Sequence, residues 1–141
     1  MTVGRACTRI VVTAHPEETA QAVAQRMVQY DVGMLVIVEA QRPVGVITDR
    51  DLVLRVMAKG LRPEACTIST AMTANPVCVS ENTALEDAIA LMRGYQIRRL
   101  VVVNDKKELV GVLSLDDLLL LLGAEQEALA GLMRTARSRR E

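Results

Sequence analysis

Apolar residues stand at Ala20, Val23, Ala24 and Met27, the i, i+3, i+4, i+7 stripe of a helix lying on a core. The pattern predicts a helix over roughly Glu17–Tyr30. The same stripe returns at Leu85, Ala88, Ile89 and Met92 and predicts a helix over roughly Thr83–Tyr95, each position 65 residues after its counterpart. The offset of 65 also joins Tyr30 to Tyr95, Val32 to Ile97, Leu35 to Leu100 and Val36 to Val101. A single offset held across so many apolar positions marks an internal repeat.

After each helix comes a short β-branched run, LVIV at 35–38 and LVVV at 100–103, which predicts a buried strand. A polar turn follows, EAQRP at 39–43 and NDKKE at 104–108, the second one residue longer. A further short strand then leads into a phrase written twice, GVITDRDL at 45–52 and GVLSLDDL at 111–118. Helices are expected after both copies, at about Asp49–Lys59 and from near Leu115. Each copy opens on a strand-like piece, CTRIVVT at 7–13 and MTANPVCV at 72–79. The unit is therefore β-α-β-β-α.

These boundaries divide the chain into a first motif at 5–59, a linker at 60–71, a second motif at 72–122 and a helical tail at 123–141. The tail carries Leu129, Leu132 and Met133 on one face and ends in a basic cluster, Arg134, Arg137, Arg139 and Arg140. One unit alone exposes too much apolar surface. Two related by a pseudo-twofold axis bury their sheets together. The expected fold is α+β, with two three-stranded sheets face to face, helices outside and a C-terminal helix.

Composition narrows the chemistry. The chain has no Phe or Trp and two Tyr, so its core is aliphatic and base stacking on aromatic side chains is nearly excluded. Seventeen basic and 17 acidic residues balance, leaving no global field to draw nucleic acid or an anionic membrane. Cys7, Cys66 and Cys78 are odd in number and lack metal-site spacing, and His15 is the one imidazole, so no metal site is expected. The cysteines read as small buried residues. The opening MTVGRACTRIVV has no signal-peptide pattern, and the apolar run Leu118–Leu122 is far too short to span a bilayer. The expected setting is the cytoplasm, with reduced thiols.

The repeated phrase has two physical readings. Thr48 and Ser114 stand where a helix N-cap belongs, with Asp51 and Asp117 three residues later in the first turn. One reading is a capping box that needs no ligand. The other uses the same atoms as a nucleotide site: free N–H groups and a hydroxyl for phosphate, a carboxylate for a ribose diol, and an aliphatic slot for a flat base. Gly45 and Gly111 allow close approach by a ligand or a neighbouring strand. Spacing alone does not choose between the two readings.

The segments MTANPVCVSENTALEDAIALM at 72–92, IRRLVVV at 97–103 and the two phrases resemble the CBS domain, named after cystathionine beta-synthase. Over about residues 5–122 the chain is similar to a stand-alone tandem pair, a Bateman module. The resemblance implies a regulatory, non-enzymatic module, with no required cofactor and no catalytic residues. It would bind AMP, ADP, ATP or S-adenosylmethionine in clefts between the motifs. It implies that Asp51 and Asp117 grip ribose and that Thr48 and Ser114 face phosphate. Val32, Gly33 and Met34, with Ile97, Arg98 and Arg99, then line the adenine slots, completed by Val46 and Val112.

Two departures stand out. Val36 and Val101 replace the proline usual in that strand, and the first copy has Gly33-Met34 where the second has Arg98-Arg99. If ligands bind, the two clefts should differ in phosphate affinity, and the two arginines are either phosphate ligands or solvated surface. The resemblance also implies a homodimer of flat pairs meeting through helices, and a protein partner of unknown identity. The alternative function is a ligand-free scaffold acting by protein contacts. An enzyme is not expected, because no nucleophile has a histidine partner beyond His15.

Overall fold

The structure, a computed structural model, describes residues 1–139. In chain order it contains α1 (Val3–Ala6), β1 (Thr13–Ala14), α2 (Ala20–Tyr30), β2 (Met34–Glu39), β3 (Arg42–Thr48) and α3 (Asp49–Leu52). A π-helical segment, Val53–Met57, continues α3. Then follow α4 (Ile68–Ala71), β4 (Thr73–Ala74), β5 (Cys78–Ser80), α5 (Leu85–Tyr95), β6 (Arg99–Val103), β7 (Leu109–Ser114) and α6 (Leu115–Ser138). Among the described residues, no helix is long and apolar enough to cross a membrane.

The expected α+β architecture is present, with sheets of four strands, β1-β2-β3-β4, and three, β5-β6-β7. In each, the opening strand pairs parallel with the strand after the helix, and the next pairing is antiparallel. The first hairpin turn is tighter than the expected 39–43. Only Ala40 and Gln41 lie between β2 and β3, both at positive φ, as a two-residue hairpin loop requires.

The fourth strand of the first sheet comes from the second copy: β4 pairs antiparallel with β3 through Gly45↔Ala74 and Val46↔Thr73. The first copy returns the contact, because Thr8 bridges Val112 at the edge of β7. The short helices cross over in the same way. Val3 N donates to Thr83 O and Gly4 N to Glu81 O, while Ile68 N donates to Glu18 O and Ser69 N to Pro16 O. Each pair of bonds reproduces the other at the offset of 65.

Three aliphatic clusters result. The first unites α2, β2 and Ile47 with Cys66, Ile68 and Ala71; the second unites α5, β6 and Leu113 with Val3. The third lies between the sheets, where Val36, Val101 and Val103 meet. The stretch 60–71, read from sequence as a linker, thus carries α4, whose Ile68 and Ala71 are buried in the first core.

Two further readings are corrected. The tail does not start a new helix, since α6 runs unbroken through Gly123 from the second phrase to Ser138. Of the cysteines only Cys66 is buried; Cys7 is half-buried and Cys78 exposed, and all three are free thiols. In the basic cluster, Arg134 pairs with Glu127, and Arg140 lies outside the described residues.

Candidate functional site

The glycines of the repeated phrase make room for the exchanged segments. A Cβ at Gly111 would lie 2.5 Å from Thr8 O and 2.9 Å from Cys7 Sγ. At Gly45 it would lie 2.5 Å from Met72 Sδ and 3.1 Å from Thr73 O. At both glycines a segment of the other copy makes a close approach.

Downstream of each glycine the hydroxyl caps a helix. Thr48 Oγ1 accepts from Asp51 N at 3.1 Å, and Asp51 Oδ2 accepts from Thr48 N at 3.0 Å, a complete capping box. Ser114 Oγ likewise accepts from Asp117 N at 3.1 Å. Asp117 does not close the box. Its Oδ2 instead accepts from Thr8 Oγ1 at 3.0 Å, across the junction of the two copies.

Asp117 and Thr8 line a cleft of about 260 Å³. The lining continues through Ile10, Val11 and Val12 to Val32, Gly33 and Met34, and is completed by Arg99 and Val112. The cleft is composite: its carboxylate belongs to the second phrase and its aliphatic wall to the first copy. Ile10 is 90% exposed, an isoleucine held in solvent at the cleft. Ser114 Oγ accepts a bond from below, which leaves its O–H able to donate.

The structure brings together six of the twelve residues nominated from sequence: Val32, Gly33, Met34, Arg99, Val112 and Asp117. Ser114 caps the helix beneath them. Thr48 and Asp51 are joined to each other elsewhere, with Val46 beside them against the inter-sheet cluster. Ile97 packs against the second core. Arg98 is exposed, and its backbone carbonyl accepts from Leu115 N at 2.8 Å. The sequence reading missed Thr8, Ile10, Val11 and Val12, which it treated only as strand. The 65-residue match of Thr8 to Thr73 was the available signal.

A larger apolar groove, about 530 Å³, shares Val32 with this cleft and runs between α2 and the π-helical segment. Met27, Val28, Val53 and Met57 line it. Among the described residues, no three His, Cys, Asp or Glu side chains come together as metal ligands do.

The CBS domain family profile matches residues 3–58 and 68–124. The chain is 36% identical over 120 residues to the uncharacterized protein MK0525 of Methanopyrus kandleri, covering 84% of this chain and 61% of that protein. It is 42% identical over 108 residues to the CBS domain-containing protein YhcV of Bacillus subtilis, covering 77% and 76%. Among solved structures it is similar to the CBS domain protein PAE2072 from Pyrobaculum aerophilum complexed with AMP. That match has a TM-score of 0.74 and 31% identity, over 83% of this chain and 89% of that one. It is also similar to the CBS domain pair of MJ0100 in complex with 5'-methylthioadenosine and S-adenosyl-L-methionine. There the TM-score is 0.77 at 25% identity, over 89% and 98%. Two profile matches in tandem, covering most of the chain, show that it belongs to the CBS domain family.

Proposed function

We propose that this chain is a regulatory module that senses an adenosine-containing small molecule, AMP, ADP, ATP or S-adenosylmethionine, in the composite cleft. The observation that carries the reading is the cleft itself: one carboxylate, Asp117, faces an aliphatic wall built by the other copy. The carboxylate accepts the two hydroxyls of a ribose diol. The base lies between Ile10, Val11 and Val32, where burying apolar surface contributes about 25 cal/mol per Å². Arg99 and the Ser114 hydroxyl supply donors for a phosphate. Adenosine ligands in the related PAE2072 and MJ0100 structures support this reading.

Because the cleft draws its walls from both copies, a bound ligand ties the copies together. It shifts their relative arrangement only by as much as it prefers one arrangement over another. The receiving surface is a second copy of the chain or a protein partner, docking on the helical side. That side exposes Val28, Val53, Leu54 and Met57 around the apolar groove. Sedimentation velocity reads the homodimer directly, and a monomer at tens of micromolar would remove it from the reading.

The deciding experiment is a thermal-shift series with AMP, ADP, ATP and S-adenosylmethionine on the wild type and Asp117→Ala. A ligand at about 100 times its Kd adds about 2.7 kcal/mol, which raises Tm by roughly 8 °C in a chain of this size. The expected result is a shift with at least one ligand, lost in Asp117→Ala. Absence of any shift returns the phrase to its capping role and favours the ligand-free scaffold. The complete capping box at Thr48 and Asp51 already favours that role in the first copy.

A further inference from the structure

The surroundings of Asp117 and of its repeat counterpart Asp51 are not equivalent. Moving the residues of the Asp117 cleft by the repeat, 65 residues before the turn and 66 after its extra residue, turns Thr8 into Thr73, Gly33 into Arg98 and Asp117 into Asp51. In the Asp117 cleft, threonine and carboxylate bond directly. In its counterpart a guanidinium stands between them. Arg55 donates through Nη1 to Thr73 Oγ1 at 3.0 Å and to Ala71 O at 2.9 Å, and its Nη2 lies 3.5 Å from Asp51 Oδ1. Asp51 Oδ2 is held by Thr48 N. Both oxygens of Asp51 are therefore engaged by the chain itself.

Two independent features set Arg55 there. In the second phrase its counterpart is Leu121, an apolar side chain packed against the second core with no donor to offer. The winding differs as well: Arg55 sits inside the π-helical segment Val53–Met57, whereas α6 continues past its own phrase as a regular α-helix. Such π-helical turns are rare, and they concentrate at functional positions.

A ribose offers Asp51 two O–H donors. Arg55 already sets a positive charge 3.5 Å from the same carboxylate, held there by the Nη1 hydrogen bonds to Thr73 and the α4 carbonyl. We infer that Arg55 is a built-in occupant of the Asp51 cleft, so that each chain binds one adenosine ligand, at Asp117, and replacing Arg55 opens a second site. The inference rests on the nucleoside-binding reading proposed above and adds its stoichiometry and the residue that sets it.

The test is isothermal titration calorimetry of the full chain with AMP and, separately, with S-adenosylmethionine. The proteins are the wild type, Arg55→Leu, Arg55→Gln, Asp117→Ala and the Arg55→Leu/Asp117→Ala double variant, with circular dichroism confirming that each is folded. Arg55→Gln is shorter and uncharged but keeps a polar, helix-compatible side chain, and it stands in if Arg55→Leu does not fold. With the ligand that binds, the expected stoichiometries are one per chain for the wild type, two for either Arg55 variant, none for Asp117→Ala and one for the double variant. Two ligands per wild-type chain would overturn the inference and leave the nucleoside reading standing. One ligand per chain, unchanged in both folded Arg55 variants, would do the same. No binding of either compound to the wild type or any variant would overturn the nucleoside reading and the inference with it.

Discussion

Gly111 shows how one missing Cβ holds two copies together. The atom nearest to an added methyl is a backbone oxygen, Thr8 O at 2.5 Å, which moves only if the crossing segment moves. At Gly45 the nearest atom is Met72 Sδ, the flexible part of a side chain. Gly111→Ala is therefore expected to cost about 2–3 kcal/mol, and Gly45→Ala about 1 kcal/mol, within the range for overpacked sites. Urea denaturation midpoints of the two variants measure the difference; equal costs, or the reverse order, would contradict the close approach at Thr8. At this scale the sequence was legible wherever a residue's role is local. Thr48 with Asp51, and Ser114 with Asp117, are caps at the positions their spacing specifies. Arg55 was not legible, because its partners Ala71 and Thr73 are 16 and 18 residues away along the chain.

Among the elements, α2 is tied to its sheet by a polar latch. Arg26 pairs with Glu18 through Nη1 and Nη2, and Nη1 also donates to Thr13 O at 2.9 Å, fastening the helix to β1. The Arg26 hydrogen bond holds the Glu18 carboxyl at about 2, well below its ordinary 4.5. A folded-state pKa below the unfolded one gives stability that is present above pH 4.5 and is lost as pH falls toward 2. After solvent screening of a partly exposed pair, that contribution is about 1–2 kcal/mol. Denaturant unfolding at several pH values should show Glu18→Gln less stable than wild type at pH 6, with the gap closing between pH 4.5 and 2. A gap that is constant with pH would remove the latch from the account. Helix periodicity found α2 and α5 to within a few residues, because their apolar stripes face a core. It mistook the end of α6 for a separate element. Gly123 resembles a break, yet nothing lies within 4 Å of its Cβ position, so the helix crosses it at a propensity cost of about 1 kcal/mol.

In the whole molecule, neither copy completes its own core. The first cluster needs Ile68 and Ala71 from α4, and the second needs Val3 from α1. Fragments 1–60 and 61–141 are each expected to show no cooperative thermal transition by circular dichroism, and their equimolar mixture to regain one. A cooperative transition from fragment 1–60 alone would show that the exchange is dispensable. The composite cleft has the same origin, because the crossing that brings Thr8 to Val112 also carries Ile10, Val11 and Val12 past Asp117.

What the sequence by itself determined was everything with a short period or a fixed offset: the repeat, the alternation of helix and strand, the aliphatic core and the caps. Each depends on neighbours a few residues away, or on the recurrence of such neighbours 65 or 66 residues later. Only the tertiary structure decided which copy each terminal segment serves, that one cleft joins Asp117 to Val32, Gly33 and Met34, and that Arg55 stands between Thr73 and Asp51. Those outcomes depend on two segments meeting across the pseudo-twofold axis. A periodic pattern records that a face is apolar, without recording which of two equivalent apolar faces it will meet.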